Sequence, residues 1–364
     1  MKLKEIIQTL ESFAPTSYQE SYDNAGLLTG SPTMEVSGAL LTLDVTEDVI
    51  QEALDTNCNV IIAHHPLIFK GLKRLTGSHW VERCVIKAIK HDIAIYAIHT
   101  NLDHVSGGVN SKIAEMIGLI NTRILSPKSE TLTKLVAFIP KDHSEQVLSA
   151  LYEAGAGEIG NYDHCSFRTD GTGTFRPNDE SNAFIGEKGK DEQVNEDRIE
   201  LIFESFKTGK IISELQQAHP YEEVAYYLTQ LENKNQDVGA GLIGELSDPV
   251  EPEKFLKELK QKMNTGTIKH TGIHCETIRK VAVCGGAGGF LLGKAKSSGA
   301  DIFITSDFKY HDYFEADGRI IIADIGHYES EQFTKQLLYD ILSKKFTNIA
   351  LRLSEVVTNP IKYL

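Results

Sequence analysis

Two adjacent histidines, His64 and His65, close the apolar run Val60–Ala63, and Pro66 follows at once. The run predicts a short strand buried on both faces. Pro66 lacks an N–H and pushes His65 toward extended backbone, so the strand ends there. Open α/β sheets bind ligands outside the carboxyl ends of their strands, which is where this pair falls. Neighbours on an extended chain point opposite ways, so adjacent histidines suit two metal ions better than one. Taken alone, such a pair is more often one packed imidazole beside a solvated one.

Further stretches strengthen the metal reading. Ile93–Asp103 predicts a strand ending on His99, Thr100, Asn101 and Asp103, and Ile320–His327 a strand ending on His327. Glu331 lies four residues on, at the start of a helix predicted over Tyr328–Phe346, so both side chains share one face. The same separation lets two helical histidines share a zinc, and a carboxylate suits the positive end of the helix dipole. The candidate metal ligands are therefore His64, His65, Asp103, His327 and Glu331. Two divalent cations bring four positive charges; the two carboxylates cancel two and a shared hydroxide a third. Glu331, with two oxygens, is the best bridge. Such a pair lowers the pKa of water and clamps developing negative charge. Nitrogen and oxygen ligands without thiolate suit zinc, iron or manganese. Individually, Asp103 reads as readily as a loop or capping aspartate and Glu331 as a surface residue; their joint occurrence carries the case.

These residues need a scaffold. The chain has 364 residues, enough for two or three domains, and its 41% hydrophobic and 24% charged content is that of an ordinary globular protein. A net charge of −14 disfavours nucleic-acid or anionic-membrane binding. No apolar run is long enough to span a bilayer, and the start, MKLKEIIQTLESFAP, reads as an amphipathic helix rather than a signal peptide. The 5 cysteines form no C-x-x-C pair and fit reduced thiols in a cytoplasmic protein.

Residues 1–125 alternate strand and helix with near-continuous apolar strands, the pattern of a parallel doubly wound sheet. Residues 126–233 follow strand–helix–strand, strand–helix–strand order, the ferredoxin-like pattern of an inserted α+β domain. Residues 234–364 repeat the first pattern. The expected fold is α/β: two related parallel-sheet halves forming one core around an insertion.

Weaker candidates are His99 and His104 as residues orienting a ligand, and Asp307, Lys309 and His311 beyond the strand DIFITS. Asp23 and Asn24 could cap or contact the site. The amides of CGGAGG (Cys284–Gly289) could cradle phosphate, although tight strand–helix packing explains the glycines equally well. His219, Glu222 and Glu223 read better as a turn before a half-exposed strand than as a further metal site.

The motifs YDNAGLL, AHHPLIFKGLKRL, HTNLDHVSGGVN, VAVCGGAGG, ITSDFKYHDYFEADG and DIGHYESEQF, in this order, resemble the Nif-three-like dinuclear metal-centre family, whose members are labelled GTP cyclohydrolase 1 type 2 homologs. GTGTFRPN and HPYEEVAYYL resemble the PII/CutA-like middle domain of its longer members. The resemblance implies the same five ligands, GTP as substrate with opening of the purine ring, and a homohexameric ring, a trimer of dimers, whose sites face an internal cavity capped by the middle domains. The expected function is a metal-dependent hydrolase, in which His99 or His311 shuttles protons because histidine titrates near neutral pH. The alternative is a metal-loaded hexamer that senses or regulates, without turnover. Expected partners are other copies of the chain and a nucleotide or other small molecule, with no membrane.

Overall fold

A computed structural model describes residues 1–364. The chain divides into two compact units, one made of Met1–Pro127 with Asp237–Leu364 and the other of Lys128–Gln236. In chain order, the first unit opens with α1 (Leu3–Phe13), β1 (Gly26–Thr29), β2 (Gly38–Thr42), α2 (Glu47–Asp55), β3 (Val60–Ala63), α3 (Trp80–Lys90) and β4 (Ala94–Ala97). It continues with α4 (Thr100–His104), α5 (Val109–Ile117) and β5 (Ile120–Lys128). The second unit holds β6 (Leu132–Pro140), α6 (Ser144–Glu153), β7 (Phe167–Phe175), β8 (Glu192–Glu204), α7 (Thr208–Ala218) and β9 (Tyr226–Leu231). The return to the first unit runs through β10 (Asn235–Val250), α8 (Pro252–Lys262), β11 (Lys269–His270), β12 (Ile278–Val283), α9 (Leu292–Ser297) and β13 (Ile302–Thr305). It ends with β14 (Ile321–Asp324), α10 (His327–Glu331), α11 (Thr334–Ser343) and β15 (Ala350–Leu353).

The first unit has two sheets, in the orders β1-β4-β3-β2-β15 and β11-β14-β13-β12-β10-β5. Strand residues alternate between two cores, as the period of two requires. In the first sheet Leu41, Ile62 and Tyr96 face a central layer of helices, while Leu40, Ile61 and Ile95 face α2 and α3. The second sheet sends Val281, Ile302 and Ile304 to the same central layer and Ala282, Phe303 and Ile322 outward. The central helices α1, α5, α8 and α11 thus bury apolar stripes against both sheets. Burial on both faces explains why VIIA, IFIT and IIAD lack polar residues until their ends.

Both sheets are mixed rather than wholly parallel. Parallel pairing joins β15, β2, β3 and β4 in one and β12, β13 and β14 in the other, while β1, β10 and β11 pair antiparallel. β15 also departs from the repeat. It leaves the final third and pairs with β2, Leu351 opposite Ala39. The preceding helix, α11, buries Leu337, Leu338 and Leu342 in the central layer, so its exit delivers the chain to the first sheet. The expected long helix over Tyr328–Phe346 is two helices, α10 and α11, interrupted at Gln332 and Phe333.

The second unit is a four-stranded antiparallel sheet, order β7-β8-β6-β9, with α6 and α7 packed on one face through Leu135, Ile139, Ile199, Leu151 and Ile211. This is the βαββαβ arrangement in which each helix connects two strands of one sheet.

Leu338 is fully buried in the central layer. Leu338→Ala should cost about 2–5 kcal/mol through lost burial and a residual cavity, read as a fall in the urea midpoint of the unit that contains it. A change under about 1 kcal/mol would show that this layer does not hold the sheets together.

Candidate metal centre

The five ligand candidates are delivered by three connections at the carboxyl ends of strands. After β3 the ladder continues for two residues, with the His64 amide donating to Thr42 O (3.2 Å) and the His65 amide to Leu43 O (2.9 Å). The two rings nevertheless lie close together, centroids 4.9 Å apart. After β4 the chain turns into the short helix α4, which carries Asp103; the sequence pattern had extended the strand through that residue. After β14, Gly326 turns with φ 93° and α10 begins at His327, placing Glu331 one turn on. There His327 Nε2 lies 3.2 Å from Glu331 Oε2.

The imidazoles are held from behind. His64 Nδ1–H donates to the carbonyl of Ile98 (2.9 Å). His65 Nδ1–H donates to Asp44 (2.7 Å), His327 Nδ1–H to Asp307 (2.6 Å) and His99 Nδ1–H to Asp23 (2.8 Å). This is how metal-binding histidines are usually oriented, with the far nitrogen left for the ion. A carbonyl can only accept, so neutral His64 carries its proton on Nδ1 and presents a lone pair at Nε2. That atom is buried without a hydrogen-bond partner, and so is Asp103 Oδ1, 3.6 Å away. Buried polar atoms are rarely left so.

Glu331 divides the cluster. Its Oε2 lies 3.0 Å from His65 Nε2, and its Oε1 lies 3.9 Å from His64 Nε2. Two groups result, His65–His327–Glu331 and His64–Asp103–Glu331, each with all its ligand atoms within 4.8 Å of one another. A third, His64–His65–His99, adds the ring of His99. Three nitrogen and oxygen donors leave coordination positions open, as catalytic metal sites do. The residues present therefore fit one or more divalent cations.

Without a cation, protons balance the charge. Burial acts against a charged His65, but Asp44 and Glu331 outweigh it and push the imidazole up to about 10. For His327, burial is likewise outweighed by Asp307 and Glu331, and the group rises to about 11. Burial drives His64 down to about 4. Burial and the Glu331 charge raise Asp103 well above the carboxylate range; Glu331, although burial opposes ionisation, is held well below it by hydrogen bonds from the histidines. Protons on His65, His327 and Asp103 thus stand where cation charge would.

Two glycines let Glu331 reach this position. A Cβ on Gly286, whose φ is 62°, would collide with Glu331 Oε1, and one on Gly285 would lie 3.3 Å from Glu331 Cγ. The amides of Gly285, Gly286 and Gly288 donate to Asn110, Ser330 and Thr305, so they do not form the phosphate cradle their sequence allowed. Asn110 also donates to Asp103 O (2.9 Å), tying this loop to α4. The carboxy-terminal residues support the same site: Thr358 donates to the second oxygen of Asp44 (2.5 Å), and Asn359 to Glu329 (2.9 Å).

The cluster lines a cavity of about 500 Å³ together with His99, Asn110, Phe69, Phe290 and Ile361. Cys284 also lines it; burial, reinforced by Asp103 and Glu331, raises its thiol. His104 is buried with Nδ1–H donating to Tyr18 O. The structure does not bring His311 to the site. It lies exposed on a 3-10 segment, Tyr310–Ala316, with its ring against Tyr310, because β13 is followed by an outward turn at Asp307. Lys309 is exposed as well; its amide donates to Asp312 at the start of that segment. Asn24 donates to Ile68 O. His219 donates through Nε2 to Phe138 O and accepts from the Tyr221 amide, so both nitrogens serve a turn. Asp44 carries no local sequence signal of this role, and Asp307 stands among the weaker candidates only through its place beyond DIFITS.

Fold and site together define a mixed α/β protein with a buried histidine–carboxylate cluster able to hold metal. The family model Duf34/NIF3 (NGG1p interacting factor 3) matches residues 1–360, and the chain belongs to that family. Curated relatives named GTP cyclohydrolase 1 type 2 homolog are 38% identical in Bacillus subtilis and 40% identical in Halalkalibacterium halodurans, each alignment covering 99% of this chain and 98% of the relative. A crystal structure of a Bacillus cereus protein related to NIF3 superposes with TM-score 0.87 at 40% identity, covering 100% of this chain and 99% of that one. No helix is long and apolar enough to cross a membrane.

Two outcomes follow from this geometry. Gly286→Ala should lower metal content at least about tenfold while leaving the circular dichroism of the fold unchanged, because Glu331 is displaced. Unchanged metal content would refute the close approach. Ligation must remove protons held up to about 10 and 11, so metal affinity should rise with pH from 6 to 9. Binding at neutral pH should release about two to three protons, measured by calorimetry in buffers of different ionisation heat. Binding without proton release would contradict the assignment.

Proposed function

We propose that this protein is a dinuclear divalent-metal protein and a metal-dependent hydrolase of the kind its relatives' name describes. One observation supports this most directly. Separate strand ends send imidazole Nε2 atoms to the two oxygens of one buried carboxylate, and each imidazole is fixed through Nδ1. His65 and His327 with one Glu331 oxygen would hold one cation, and His64 and Asp103 with the other oxygen a second; zinc, iron or manganese suits these donors. When bound, the cations supply Lewis acidity toward an oxygen that gains negative charge.

The chain's own residues do the rest. Hydrolysis of a cyclic amidine or amide forms a carbon–oxygen bond and breaks a carbon–nitrogen bond. The proton lost by the attacking water must reach the departing nitrogen. His99 is placed for that transfer: it lines the cavity beside His64 and His65, ring centroids 5.3 Å from each, and Asp23 fixes its tautomer. Leu43, Phe69 and Phe290 supply apolar wall to the same cavity. GTP is the substrate this reading inherits from the relatives' name. Assembly as a homohexamer, a trimer of dimers, and residence in the cytoplasm belong to the same reading.

A sensing role without turnover is the second reading, and the inserted unit favours it. That unit, read as PII/CutA-like, has its own cavity of about 730 Å³, walled by Phe138, Phe175, Phe184 and Tyr221.

The discriminating experiment screens the metal-loaded protein against nucleotides, cyclic amides and phosphoesters, with His99→Gln beside it. For the substrate that turns over, His99→Gln should lower kcat by about 10²–10⁴ while metal content and assembly stay unchanged. Lost metal in that variant would make His99 a ligand instead. Absence of turnover under every metal loading would favour sensing.

A further inference from the structure

The lining of the metal cavity says which molecules it can hold. Its carboxylates are Glu20, Asp44, Asp103 and Glu331, its histidines His65, His99, His104 and His327, and neither a lysine nor an arginine lines it. Of the glycine-loop amides, the other device by which a loop binds phosphate, those of Gly285, Gly286 and Gly288 are already engaged. Four carboxylates face the four positive charges of two divalent cations, so beyond the cations themselves the loaded cavity has no lysine or arginine to answer the further charges of a polyphosphate.

Aromatic surface, in contrast, is plentiful and unused. Phe290, Tyr22 and Phe69 line the cavity while being 71%, 64% and 47% exposed. Phe69 also sets its edge against His99, ring centroids 5.7 Å apart, linking this aromatic wall to the candidate proton carrier. Rings placed so are suited to stacking on a flat heterocycle, and a volume of about 500 Å³ is that of a small-molecule site.

We propose that the cavity takes an uncharged planar heterocycle with a hydrolysable ring carbon–nitrogen bond, at the level of nucleobase or nucleoside, and rejects its polyphosphate ester. This rests on the hydrolase reading but replaces the GTP inherited from the relatives' name: the reaction that supplies the substrate must first remove phosphate or cleave the glycosidic bond.

The test is calorimetric binding of guanosine, GMP and GTP to the metal-loaded protein, with excess magnesium to prevent the triphosphate from stripping the site. Guanosine should bind at least about tenfold tighter than GTP, with GMP between them. Phe290→Ala should weaken guanosine about tenfold with metal content unchanged. Glu20→Arg, which places a cation on the lining, should narrow the gap by tightening GTP about tenfold. GTP binding as tightly as guanosine, or a series indifferent to both substitutions, would overturn the inference and leave the hydrolase reading standing. If no member binds, the inference falls; turnover of phosphoesters or other cyclic amides then judges the hydrolase reading separately.

Discussion

Glu331 is a carboxylate only 3% exposed, and everything around it answers its charge. An ionised carboxylate out of water is costly unless paired and hydrogen-bonded. Here His65 and His327 approach one oxygen and His64 the other. Those imidazoles are not free to turn away, because Asp44, Asp307 and the Ile98 carbonyl hold their far nitrogens. The result is a pocket of convergent donors that either protons or metal ions must neutralise.

The fold makes this convergence possible at a distance along the chain. His65 and Glu331 are 266 positions apart, yet they meet because β3 and β14 belong to two sheets packed on one layer of helices. Parallel strands end at the same edge, so their connections gather there. Cohesion of the central layer is therefore a condition of the site. The same logic covers the glycines after β12, whose missing side chains leave the space that Glu331 occupies. It extends to Thr358, which reaches back to Asp44 from beyond β15.

Much of the converging cluster was legible in the sequence, because buried strands that end abruptly on histidine are conspicuous and His327 and Glu331 keep helical spacing. The residues that steer them were not. Asp44 and Asp307 lie 21 and 20 positions from the histidines they hold, and nothing local distinguishes them from loop aspartates. Strand order alone brings them together. His311 is the converse case: a histidine beyond a buried strand is expected to serve proton transfer, but within this chain it lies exposed on the 3-10 segment that follows the positive φ of Asp307. The repeat of strand and helix was readable in both outer thirds, whereas the transfer of β15 to the first sheet and the antiparallel edges were not. Edge pairing depends on which apolar helix face docks where, and hydrophobic spacing does not encode that.

Anomalous scattering from crystals of the protein purified without added metal tests the central claim most directly. The account requires two peaks flanking the Glu331 carboxylate, about 3.5–4 Å apart. One should be bound by Nε2 of His65 and His327, the other by His64 Nε2 and Asp103. A single ion elsewhere, or ions bound through Nδ1 with the Asp44 and Asp307 contacts broken, would contradict it.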